Sequence, residues 1–410
     1  MNAPRVAGRY RQTALLAALA LLAPEARADR WVVENSLLTR LEANDNVNLV
    51  ANSPGIVNTL SVSTNLSAAR EVESASTRAN LALTALHQVG PGAQDRVDGQ
   101  AGLSQALTEM RHTWNGQLAY RQDFNNTVVN SDLGVGYGRR RETQVAGGWS
   151  YALSERLSAG LQASFGQTTY GVPGAENFRT DGVGANGSWL MSERIALNAR
   201  IGRVRFRTLD GSSTSTTDDA NIGWTRSFSE LGSGSVSVGV YRTTHTTLLH
   251  ALACPLPALL CTSGIVPFVP VTVQADFATH GVQFSASYRF QLDERSSVGF
   301  TAARLQQPSG VGAVLRNDSI TASASRGLSP VLDGSVAYAY SHSTSPLPND
   351  PSPPPQQRVS AALFRRLGPD LALRASYDFT RAAPTATSAL AQSNAIAVTL
   401  EYAWPRVDVH

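Results

Sequence analysis

Leu157-Ser-Ala-Gly-Leu-Gln-Ala-Ser-Phe-Gly-Gln-Thr-Thr-Tyr170 sets Leu157, Ala159, Leu161, Ala163 and Phe165 in alternation with Ser158, Gly160, Gln162, Ser164 and Gly166. A period of two belongs to an extended strand whose side chains point to opposite faces, here one apolar and one small and polar. The pattern returns at Val282, Phe284, Ala286, Tyr288 and Phe290, interleaved with Gln283, Ser285, Ser287 and Arg289. It returns again at Leu371 to Phe379, whose polar face carries Arg374 and Asp378, and at Ile396, Val398, Leu400, Tyr402 and Trp404. Each run is about ten residues long, the length a tilted strand needs to cross a bilayer.

The connections between such runs decide between a soluble sandwich and a membrane barrel. Short turns of related sequence recur at Leu107-Thr-Glu-Met110, Leu153-Ser-Glu-Arg156, Met191-Ser-Glu-Arg194, Phe228-Ser-Glu-Leu231, Leu292-Asp-Glu-Arg295, Leu328-Ser-Pro-Val331 and Leu367-Gly-Pro-Asp370, with an earlier one between Leu66 and Ser74. Longer, irregular stretches lie between them, among them 44–55, 89–96, 125–141, 246–273, 306–312 and 344–356. Short turns at one end and long loops at the other are the asymmetry of an outer-membrane barrel. Closure also removes the unpaired edges that lipid cannot satisfy. The expectation is an all-β, antiparallel, up-and-down transmembrane barrel of 16–18 strands spanning residues 57–404. Residues 29–56 supply either its first strand, about Val33–Glu42, or an N-terminal plug; residues 405–410 form a periplasmic extension.

Charge placement agrees. The formal net charge of +3 matches that of residues 1–28 alone, where Arg5, Arg9, Arg11 and Arg27 stand against Glu25, so the rest of the chain is neutral. There is no lysine, and only 16% of residues are charged. A neutral, charge-poor chain argues against nucleic-acid binding. The leader has a basic start, an apolar run from Thr13 to Ala23, and Ala26-Arg27-Ala28 as a small-x-small cleavage site, the parts of a Sec-type signal peptide cleaved after residue 28.

Three features bear on function. Beyond Gly202 the apolar positions switch from Ile195, Leu197, Ala199 and Ile201 to Val204 and Phe206, which suggests a bulge near Gly202. Arg203, Arg205 and Arg207 then share one face, either as a lumen ladder that favours anions, with Arg289 and Arg374 on other lumen faces, or as rim arginines that meet lipopolysaccharide phosphates or nearby carboxylates. The stretch 246–273 is apolar for a loop and contains Cys254 and Cys261, read as a disulfide stapling a constriction loop in an exported protein. Leu400, Tyr402 and Trp404 resemble the terminal signal recognised by the barrel-assembly machinery, although the chain continues to His410.

No cofactor is called for. Two cysteines cannot build a zinc or iron–sulfur framework, and Gly134-x-Gly136-x-Gly138 opens no helix that would hold a phosphate. Arg139–Arg141 read as a solvated loop rim. His245, His250 and His280 would indicate a barrel hydrolase only if they converged with a serine and a carboxylate.

Trp31, the segment Glu42-Ala-Asn-Asp45-Asn46-Val-Asn-Leu49, and the Leu153-Ser-Glu-Arg156 and Met191-Ser-Glu-Arg194 turns resemble outer-membrane barrels of exopolysaccharide and exosortase (PEP-CTERM) systems. The resemblance implies a place in the bacterial outer membrane, with its lipid and lipopolysaccharide as surroundings, and a role in passage or surface handling of polysaccharide. The leading expectation is a porin-like channel, with export of an anionic exopolysaccharide as its particular form. A plugged barrel that binds partners through its loops is the alternative, and a barrel hydrolase the third.

Overall fold

A computed structural model describes residues 31–124, 138–253, 269–345, 352–384 and 389–409; of 249–253 and 269–272 it describes the backbone alone. The leader and both cysteines therefore lie outside the described residues, as does most of the presumed constriction loop around them.

The strands are β1 (Trp31–Asn44), β2 (Val57–Val72), β3 (Ala75–Val89), β4 (Arg96–Glu109), β5 (His112–Phe124) and β6 (Arg139–Ala152). They continue as β7 (Leu157–Tyr170), β8 (Phe178–Ser192), β9 (Ile195–Thr208), β10 (Ser213–Ser229), β11 (Gly232–Ala253) and β12 (Val269–Asp293). The remainder are β13 (Ser296–Ser309), β14 (Ala313–Ser329), β15 (Leu332–Thr344), β16 (Gln356–Arg366), β17 (Leu371–Ala382), β18 (Ala391–Ala403) and the short β19 (Val407–Val409). Each of β1 to β18 pairs antiparallel with its sequence neighbours, and β1 closes the ring by pairing with both β2 and β18. The wall is thus an eighteen-stranded closed transmembrane barrel.

Residues 31–44 stand in this wall, which answers for them the choice between strand and plug. Beyond Trp404, Val407–Val409 pair antiparallel with Trp31–Val33 and extend the seam between β1 and β18.

Large apolar side chains face outward instead of filling a core. Val183, Ile201, Ile222, Val240, Val282 and Ile396 are each more than half exposed, and all lie on the outward parity of their strands. That inversion is stable only where the surroundings are themselves apolar, as in lipid. The eight short turns fall at one end, together with both described chain ends. On the outer face near that end sit Trp114, Trp149, Tyr151, Trp189, Trp224 and Tyr402. Trp114 and Trp149 are 6.1 Å apart, and Tyr402 meets Trp404 edge-on at 5.1 Å. Aromatic rings at that height form the interfacial girdle of a membrane barrel.

An arginine in place of Ile222, which is 69% exposed within the apolar belt, should cost about 2–4 kcal/mol if it lies near the bilayer midplane. Urea unfolding in lipid vesicles reads that cost, and an unchanged midpoint would place Ile222 outside the hydrocarbon.

Candidate functional site: the lumen and its inward hairpin

Inward positions follow from the parity that leaves the apolar residues outside. Arg289 and Arg374 lie on the inner face, opposite Ser233 on β11 and Thr399 on β18. Both are exposed to the lumen and make no ion pair among the described residues.

Arg203, Arg205 and Arg207 do not lie there. Pairing of β9 with β8 and with β10 runs through Gly202 without a shift, so the expected bulge is absent. The three arginines therefore share the outward face of Leu197 and Ile201, and the lumen ladder built on them is withdrawn. Val204 and Phe206 are the inward residues, and Phe206 is completely buried. Apolar and polar positions exchange faces because the surroundings exchange: above the membrane belt the outside is polar, while the inside is filled by protein.

The filling is the end of the β13–β14 hairpin. β12 pairs with β13 only up to Phe284 opposite Arg304, and β14 pairs with β15 only from Arg316 onward. Between those limits, residues 305–315 pair only with each other and leave the wall. The tip turns tightly through Gly312, whose φ of +83° favours glycine, with Gly312 N–H donating to Ser309 C=O at 3.2 Å. It lands on the far side of β10–β12: Glu176 N–H donates to Gly310 C=O at 2.6 Å, and Val314 packs with Phe178, Phe206 and Tyr170. The stretch 306–312, expected as a loop, is therefore mostly strand, and it narrows the outer mouth.

The inner faces of β10 and β11 on this side are buried, among them Ser215, Thr217, Thr243 and His245. Thr217 and Thr243 hydroxyls meet at 2.9 Å, and His245 Nδ1 meets Ser215 Oγ at 2.7 Å while its ring stacks on Phe277 at 4.8 Å. His245 Nε2 has no hydrogen-bond partner among the described residues. His280 occupies an outward position on β12 opposite Arg242, and the His250 side chain is not described. His245 and His280 therefore face opposite sides of the wall and do not converge. In the loops at this mouth, burial and the neighbouring Asp210 hold the Glu176 carboxyl above the usual carboxylate range, while the Ser212 backbone N–H holds Asp210 below it.

Below the hairpin, the lumen wall combines side-chain amides with paired charges. Across β3–β9 two adjoining cavities of about 510 and 540 Å3 are lined by Asn80, Gln100, Gln117, Gln144 and Gln162, with Arg200 among them. The Gln162 amide oxygen accepts from Arg200 Nε at 3.0 Å. Arginines are matched to carboxylates both on this wall, where Arg140 and Arg121 meet Asp123 at 2.9 and 2.6 Å, and beyond it, where Arg40 meets Glu42 at 2.6 Å and Arg358 meets Asp378 at 2.7 Å. Arg139–Arg141, expected in a loop, instead open β6, and Arg140 is nearly buried against Asp123. Ala395 and Ala397 on β18 are buried on the same inner face, in register between Asp378 or Ser376 on β17 and Asn44 or Glu42 on β1. Small residues there leave room for long charged neighbours.

Leu400 and Tyr402 lie on the outward face of β18, and Trp404 N–H donates to Asn35 C=O at 3.0 Å just past the strand end. The sequence reading missed the outer tryptophan girdle and the lumen amides, although the alternation that located the strands assigns Gln144, Gln162 and Trp149 to their faces.

A closed barrel with an apolar exterior, a polar lumen and one hairpin folded into its mouth defines the class as a large transmembrane β-barrel of porin-like architecture. No protein-family model matches the chain, and no curated protein matches it. Among solved structures, Acinetobacter baumannii OccAB4 is similar at TM-score 0.48 and 8% identity, covering 93% of this chain and 99% of that one. Pseudomonas aeruginosa OccK9 (OpdG) is similar at TM-score 0.47 and 12% identity, covering 91% and 98%. Pseudomonas aeruginosa OpdK, solved with vanillate, is similar at TM-score 0.45 and 9% identity, covering 92% and 99%.

Proposed function

We propose that the protein is an outer-membrane channel for small hydroxyl-rich solutes, saccharides in particular, with the β13–β14 hairpin setting the size limit. The ladder of side-chain amides from Asn80 to Gln162 carries this reading. Amides offer donors and acceptors on one wall and can exchange hydrogen bonds with successive hydroxyls, as water does, at little net cost. Because most inward arginines have a carboxylate partner, the lumen discriminates weakly by charge, and an anionic polysaccharide is one extended form of cargo within the reading. Export through the leader and recognition of Leu400, Tyr402 and Trp404 during assembly belong to the same proposal. Alanine at Tyr402 and Trp404 together should lower the folded fraction recovered from outer membranes without changing total expression.

Planar-bilayer recordings test the channel. The expected result is an ohmic pore with near-equal cation and anion permeability, whose current falls reversibly when a linear malto-oligosaccharide is added. Leucine at Gln117 and Gln144 should weaken that block with little change in ion current. Alanine at Arg289 and Arg374 should shift the reversal potential toward cations, because neither guanidinium has a carboxylate to cancel it. No conductance from folded protein, with or without the hairpin tip, would overturn the reading in favour of a plugged surface barrel.

A further inference from the structure

The outward arginines displaced from the lumen form a patch of their own. Arg179 on β8, Arg203, Arg205 and Arg207 on β9 and Arg242 on β11 lie on the outer face of neighbouring strands, where Asp181 and Asp218 are the carboxylates among the described residues of β8–β11 and Asp276 on β12 is bound by Thr246. Arg203 binds Asp218 in a two-pronged contact at 2.5 and 3.1 Å. Arg207 and Arg179 share Asp181 at 2.9 and 3.1 Å. Arg205 is exposed and makes no hydrogen bond or ion pair among the described residues. Five guanidiniums against two carboxylates leave an excess of three positive charges.

Height along the wall indicates what meets this excess. Arg203 follows two residues after Ile201, and its register partners are Val183 on β8, at the top of the apolar belt, and Asp218 on β10, four residues above Ile222 within that belt. The patch then rises through Arg205 and Arg207, four residues or roughly 13 Å of strand. It lies at the end away from the short turns, the outer-leaflet end by the barrel rule. A ligand seated there has its acyl chains beside Ile201 and Ile222 and its headgroup beside the arginines.

We propose that this patch is a binding site for the phosphorylated headgroup of the outer-leaflet glycolipid, the lipid A portion of lipopolysaccharide. Planar guanidiniums form paired hydrogen bonds with phosphate oxygens, and the Asp181 and Asp218 contacts hold three of them extended along the wall. The site rests on the outer-membrane reading but not on conduction, since every residue in it faces away from the lumen.

The test uses the full-length barrel, folded in a neutral detergent, with lipopolysaccharide as titrant. Replacing Arg203, Arg205 and Arg207 with glutamine should weaken binding about tenfold or more, because up to three charge-assisted contacts are lost. Arg→Lys changes at the same positions, which keep the charge but lose the fork, should fall between. Lipopolysaccharide stripped of its lipid A phosphates should bind the intact protein as weakly as the glutamine variant binds the native lipid. Equal binding by intact and glutamine proteins would overturn the proposal. So would inorganic phosphate at millimolar concentration displacing the lipid fully, since that marks a free-anion site. Bilayer conductance of the glutamine variant should equal that of the intact chain; a chain that binds the lipid through these arginines yet passes no current would refute the channel and leave this site standing.

Discussion

Replacing Pro308–Val314 with a two-residue Asn-Gly turn is expected to raise single-channel conductance several-fold. Gln307 and Leu315 face each other in the hairpin, and Asn-Gly is a favoured two-residue hairpin connection, so the cut shortens the hairpin without shifting its register. What it removes is the end that crosses the mouth, including the Gly310 carbonyl that Glu176 binds and the Val314 side chain packed on Phe178 and Phe206. A wall of eighteen strands encloses an aqueous passage unless something fills it. Current should rise because the segment no longer crosses the mouth, and larger malto-oligosaccharides should then enter. The wall itself should hold, since the removed residues form no strand ladder with β12 or β15. Unchanged conductance and an unchanged size limit would place the narrow point elsewhere.

The strand pattern was legible because lipid makes a uniform demand. Each outward residue between the girdle and the belt top must be apolar, so Leu157–Phe165, Val282–Phe290 and Ile396–Tyr402 alternate cleanly. The repeated short turns supplied strand number and orientation. The pattern ceased to mean the same thing once the surroundings changed. Val204 and Phe206 are apolar because they meet Val314 and its neighbours inside, not lipid outside, and a sequence periodicity cannot tell the two apart. A flip of apolar parity without a register shift is therefore a sign of an internal partner as well as of a bulge. That partner, 306–312, reads locally as a loop because Pro308, Gly310 and Gly312 are turn residues and its docking surface lies about a hundred residues earlier in the chain. β1 alternated poorly, and its place is fixed by two neighbours distant in sequence, β18 and β2. The inward charge pairs are likewise non-local: Arg140 and Asp123 are 17 residues apart, and Arg358 and Asp378 are 20 apart.

Phe206→Ala should undock the hairpin while leaving the barrel folded. Phe206 is completely buried, its ring lies 5.1 Å from that of Phe178, and Val314 completes the cluster. Truncating a buried phenylalanine to alanine costs about 3–5 kcal/mol. Eighteen strands hydrogen-bonded in a ring do not depend on this contact, so the loss falls on the tip's hold on the wall. A change of that size shifts a two-state equilibrium by roughly a hundredfold or more, enough to turn a lasting docked state into one that opens repeatedly. Single-channel records should then show transitions between the conductance of the intact chain and that of the Pro308–Val314 replacement. Phe206→Leu, which keeps most of the volume but loses the aromatic contact, worth about 0.5–1.5 kcal/mol, should flicker much less. Arg205→Ala, one residue away, supplies the control on facing: its side chain lies outside the wall, so the record should match the intact chain. Flicker from Arg205→Ala with a quiet Phe206→Ala would reverse the two faces of β9, and with them the withdrawal of its arginines from the lumen.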